Sequence, residues 1–160
     1  MPNWCEGVLK VRGKKKNLIN FLKNGIERLA LKIENHEVIE IPLDLKIDKD
    51  FDEYRLEGGK GTLHIKDTRR CFLDSLEWYL SDEDDDVMIQ CIDIRQAWYL
   101  EVKQFVAISK KYHIDFKIKG YECGGQFSQE FEILDGFLNK YEEKAYKDWY
   151  GDVDDPRLGG

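Results

Sequence analysis

Residues 88–133 read MIQCIDIRQAWYLEVKQFVAISKKYHIDFKIKGYECGGQFSQEFEI, and this stretch decides the fold. Its pattern is strand, helix, strand, tight turn, strand. Ile114, Phe116 and Ile118 alternate with Asp115, Lys117 and Lys119, the period of two expected of a strand with one buried face. Phe127, Phe131 and Ile133 set a second such register, with Ser128, Glu130 and Glu132 on the other side. Between the two, residues 120–125 hold three glycines, which supply the positive φ that hairpin turns need. The two strands are therefore expected to pair antiparallel. Upstream, Ile92 and Ile94 end a strand, and Trp98, Val102, Phe105, Val106 and Ser109 recur at the spacing of one helical face. A helix on that sheet would bury Trp98 and Phe105, each covering ~150–250 Å².

Working outward, residues 8–12 suit a short strand ended by Gly13, and residues 14–24 a helix with Leu18, Phe21 and Leu22 on one side, stopped by Gly25. Residues 26–33 fit helix and strand equally well. Residues 38–41 read as strand up to Pro42, residues 43–60 as an irregular acidic loop or insertion, and residues 61–66 as strand. Phe72, Leu73, Leu76, Tyr79 and Leu80 give residues 71–80 helical spacing. The acidic run of residues 81–86 follows. Phe137, Leu138, Tyr141, Ala145 and Trp149 predict a C-terminal helix over residues 134–150, and residues 151–160 are expected to form a flexible tail.

The chain of 160 residues is long enough for one domain, here residues 1–150, and 42% hydrophobic residues suffice for its core. A net charge of −7 favours solubility and repels nucleic-acid phosphates. Cys5, Cys71, Cys91 and Cys123 show no CxxC spacing, which fits free thiols in a reducing cytoplasm. No apolar run approaches the ~18 residues of a membrane span, and the MPNWCEG start carries no targeting pattern.

Pro2, Asn3, Trp4 and Cys5, followed by LKVRGKKK, resemble the start of a family of uncharacterised phage and plasmid proteins with a YubB-type ferredoxin-like core. Ala97-Trp98, Lys111-Tyr112 and the run IDFKIKGYECGGQF resemble that family's later helix, turn and strand. The likeness covers roughly the first 25 residues and residues 87–133. Tyr99, Leu100 and Ser128 depart from it, standing where the family often has proline and glycine. The resemblance implies an α+β fold: a ferredoxin-like antiparallel sheet of about four strands with helices on one face, here extended by the C-terminal helix. It also implies a mobile-element origin, and it implies no reaction.

The chemistry in reach is sparse. A nucleophilic Cys5 needs a histidine or a helix N-terminus beside it, and His36, His64 and His113 are isolated in sequence. The cysteines and histidines fit no zinc spacing. Asp48, Asp50 and Asp52 fail as a calcium loop, with Glu53 where glycine is required and Gly59 where the bidentate glutamate belongs. No catalytic residue, metal or cofactor is expected. Arg12 with Lys14, Lys15 and Lys16 is the one basic cluster, the basis of an alternative reading as a nucleic-acid-binding module.

The first expectation is a small acidic protein of a mobile element that binds and inhibits a host protein in the bacterial cytoplasm. A defence nuclease is the concrete target, as for an anti-CRISPR protein. The partner-binding residues are then Asp82, Glu83, Asp84, Asp85 and Asp86, whose consecutive carboxylates would meet a basic groove, with Tyr146, Trp149 and Tyr150.

Overall fold

A computed structural model describes residues 3–34, 37–50, 53–56, 62–74, 76–80 and 87–145. In chain order they form β1 (Trp4–Lys14), α1 (Lys15–Asn24), β2 (Ile26–Glu34), β3 (Glu37–Leu43), β4 (Ile47–Asp50), β5 (Glu53–Leu56) and β6 (Leu63–Ile65). There follow β7 (Cys71–Leu73), β8 (Leu76–Tyr79), β9 (Val87–Ala97), α2 (Val102–Tyr112), β10 (Asp115–Glu122), β11 (Phe127–Leu134) and β12 (Phe137–Ala145). Nine strands make one sheet in the order β12-β11-β10-β1-β9-β7-β6-β2-β3, and β4-β5-β8 make a second. Every neighbouring pair is antiparallel.

This corrects the expected fold class. The described residues are mostly β, with two helices and a large antiparallel sheet, and do not form a small ferredoxin-like α+β fold. Residues 47–50 and 53–56, expected within an irregular insertion, are strands of the second sheet. Residues 71–80 are two strands rather than a helix. Cys71, Phe72 and Leu73 are all buried because β7 is covered on both faces, and three consecutive apolar residues mimic helical spacing. Behind them Leu76, Trp78 and Leu80 alternate with exposed Glu77 and Tyr79.

The expected C-terminal helix is, over its described part, strand β12. Leu134 pairs with Phe137 across a two-residue turn, Asp135 (φ 44°) and Gly136 (φ 83°). Two successive positive φ values define the tightest hairpin turn, and Asp-Gly is its preferred dipeptide. The turn sends the chain back along β11, where Lys140 pairs with Glu130 at 2.8 Å and Asn139 donates to Glu132 at 2.6 Å.

The central unit stands where the period-two pattern places it. Ile114, Phe116, Ile118, Phe131 and Ile133 are buried. In β1, Cys5, Leu9 and Val11 face the same core, while Lys10, Arg12 and Lys14 face outward. Both helices cover that core face. Phe21 of α1 is its hub, stacked on Trp78 of the second sheet and set edge-on against Tyr112 of α2 and Phe116 of β10. The other face of the large sheet carries charge: Arg12 is bound to Asp115 at 2.6 Å, and Lys10 stands opposite Lys117.

Candidate functional site

Between β9 and α2 lies a four-residue turn, residues 98–101, in which the backbone is both strained and fully tied down. Trp98 has φ 73° and is 51% exposed, so it does not sit beneath α2 as its spacing suggests. The helix instead starts at Val102. A bulky side chain at positive φ is a genuine outlier. The N–H of Tyr99 donates to the carbonyl of Ala97 at 3.0 Å, closing a three-residue γ-turn around Trp98, a rare form when φ is positive.

Every backbone N–H from residue 97 to 101 has a partner. Ala97 donates to the carbonyl of Arg70, Trp98 to that of Asn3 and Tyr99 to that of Ala97. Leu100 donates to Gln129 Oε1 at 2.9 Å, and Glu101 to Gln96 Oε1 at 2.8 Å. Gln96 is wholly buried and also donates to the carbonyl of Arg69 (3.1 Å) and to Gln104 Oε1 (2.9 Å). Arg69 donates to the carbonyl of Ala97 at 2.9 Å and lies 4.6 Å over the ring of Tyr99. Leu100 is buried against Gly120, where an added Cβ would stand 2.9 Å from Leu100 Cδ1. Glycine at 120 thus makes the seat of the turn.

Below the turn opens a cleft of about 370 Å³, lined by Tyr99, Glu101 and Lys103 on one side and by Phe127, Gln129, Tyr141 and Glu143 on the other. Two phenols are clamped to two carboxylates: Tyr99 donates to Glu101 at 2.8 Å and Tyr141 to Glu143 at 2.7 Å. The bond to Glu143 raises the Tyr141 phenol above its ordinary value, and a bond from Gln129 partly offsets this. Each carboxylate keeps a second oxygen outside its phenol bond. Aromatic faces beside carboxylates suit a cation.

The residues expected to bind a partner, Asp82, Glu83, Asp84, Asp85, Asp86, Tyr146, Trp149 and Tyr150, lie outside the described residues. Cys5 is buried, and burial pushes its thiol up to about 12, far from a thiolate at neutral pH. Its neighbour across β9, Cys71, is raised by the same cause. His64 is hydrogen-bonded to Glu27 at 2.8 Å and His113 to Asp135 at 3.1 Å, so neither is bonded to a cysteine. Among the described residues no group of three His, Cys, Asp or Glu side chains could hold a metal ion. In the basic cluster, Arg12 is committed to Asp115.

Sequence reasoning missed Gln96 and Gln129, although both carry a readable sign. Each stands in the apolar register of its strand, after Ile92 and Ile94 and before Phe131 and Ile133. A polar residue on a buried face must find hydrogen-bond partners, and here the partners are the turn.

No family model, curated protein or solved structure matches this chain. Among the described residues no helix is long and apolar enough to cross a membrane.

Proposed function

We propose that the protein works by binding a partner protein, with the turn at residues 98–101 and the cleft below it receiving a basic segment of that partner. The observation that carries this reading is Trp98, a half-exposed indole held at φ 73° by a turn whose every amide is bonded. Strain of this kind costs about 1–3 kcal/mol and persists where surrounding structure over-determines it, which is typical of binding sites. Tryptophan and tyrosine are the side chains that dominate protein interfaces. Glu101 and Glu143, within a chain of net charge −7, select a cationic partner and speed its approach.

A basic groove is the electrostatic footprint of a nucleic-acid-handling protein. The concrete form of the proposal is an inhibitor, made by a mobile element and acting in the bacterial cytoplasm, that occupies the basic groove of a host defence nuclease. A photo-crosslinking residue at position 98 tests this in bacterial cells, with position 89 on the opposite face of the sheet as control. A protein adduct at 98 that the control lacks, and that weakens when Glu143→Gln is added, is the expected result. A nucleic-acid adduct at 98, or equal adducts at both positions, would overturn the reading.

A further inference from the structure

We infer that the partner segment docks as an added strand along the free edge of β12, with one of its basic side chains entering the cleft; this rests on the binding role proposed above. β12 ends the nine-strand order and has no second neighbour among the described residues. It is nine residues long, its side chains are almost all exposed, and it contains no proline. An edge of that length is open to another strand where no proline blocks it; the bulge at Asn139 bends it and the core-facing Glu143 disfavours an apolar strand, so a basic one is the strand it admits. The opposite edge, β3, carries such a block at Pro42. The lysines of β12 do not serve as one: Lys140 is tied to Glu130 and Lys144 to Glu142.

The cleft gives this edge its selectivity. Tyr141 and Glu143 are two apart on β12, so both point to the side of the sheet where the cleft opens. A residue opposite either one on an added strand would hold its Cβ within about 5 Å. From there an arginine or lysine reaches between Glu143 and Glu101. Main-chain bonds along the edge would supply affinity and the alternate side chains specificity, as in other strand-addition complexes. A second copy of this chain is the weaker occupant, because each copy carries a net charge of −7.

Two probes separate the edge from the cleft: N-acetylarginine amide, and the acetylated peptide Thr-Val-Thr-Arg-Thr-Val-Thr amide. Affinity and amide exchange across residues 137–145 are measured for each. The peptide is expected to bind at least tenfold more tightly and to slow exchange at alternate β12 amides. N-methylating the peptide backbone at the edge-facing alternate positions should remove that gain. Equal binding of both probes without β12 protection overturns the strand addition and leaves the cleft reading standing. Binding of neither overturns both. Dimerisation through β12 without peptide, seen as concentration-dependent protection, assigns the edge to a second copy and overturns the inference.

Discussion

Replacing Gln96 by leucine tests whether the turn at residues 98–101 is held from beneath. The side chain is wholly buried and makes three hydrogen bonds, to the N–H of Glu101, the carbonyl of Arg69 and Gln104 Oε1. Gln104 keeps a donor in the N–H of Arg69 at 3.0 Å, so two partners are orphaned rather than three. A buried group left unsatisfied costs ~1–3 kcal/mol. Burying apolar carbon in place of the amide returns about 1 kcal/mol. The net expectation is a loss of about 3 kcal/mol. With a urea m-value of about 2 kcal/mol/M, the unfolding midpoint falls by roughly 1.5 M. Gln104→Leu leaves the bond from Gln96 to Glu101 intact and is expected to cost about 1 kcal/mol. Amide exchange supplies the local readout: the N–H groups of Leu100 and Glu101 should lose protection in Gln96→Leu well before the core strands do. A midpoint within roughly 0.25 M of wild type, or unchanged protection at those two amides, would refute the claim that this side chain fixes the turn.

Three further outcomes can be checked directly. Gly136→Ala puts an L-residue at φ 83° and a Cβ 2.7 Å from that of Lys110, so it should cost about 2 kcal/mol and lower the melting temperature by about 4–8 °C. Cys91 and Cys123 are exposed and should be modified quickly by a disulfide reagent at pH ~8, whereas buried Cys5 and Cys71 should react only on unfolding; a third fast thiol in the native protein would contradict this. Tyr141 should ionise above its ordinary value of 10.0, seen by subtracting the ultraviolet titration of Tyr141→Phe from that of wild type. Because its folded value is raised, its contribution is complete below the unfolded value and disappears as pH climbs through the folded one. Glu143→Gln should bring the ionisation back down, and a phenol that already titrates at the ordinary value in wild type would count against the bond.

The centre of the sheet was legible because its strands obey a single rule. In β10 and β11 one face is core and the other charged, so Phe116, Ile118, Phe131 and Ile133 announce themselves by alternation. The rule fails in β7, whose two covered faces erase the alternation, and in β12, whose apolar residues Phe137, Leu138 and Tyr141 stay exposed and mark no buried face at all. There the Asp135-Gly136 dipeptide was the better guide, since it specifies a turn by backbone conformation rather than by hydrophobicity. The position of Trp98 was illegible for a related reason. Trp98 falls on the helical spacing of Val102 and Phe105, and hydrogen bonds from the turn to Asn3 and Gln129, distant in sequence, and to Gln96 beneath it hold it outside the helix.

The placing of β1 bears on how the chain is made. It sits fourth of nine in the sheet, between β9 and β10, yet it ends at Lys14 while β9 does not begin until Val87. At ~5–20 residues per second, a ribosome needs roughly 4–15 s to supply the first of its two neighbours. Through that interval Leu9 and Val11 belong to a strand with both edges bare, while α1 and the β2–β3 hairpin can already form from local contacts. The middle of the finished sheet thus stays open until β9 arrives, although β1 is made first, and a nascent chain stalled before residue 87 exposes an apolar strand for chaperones to hold.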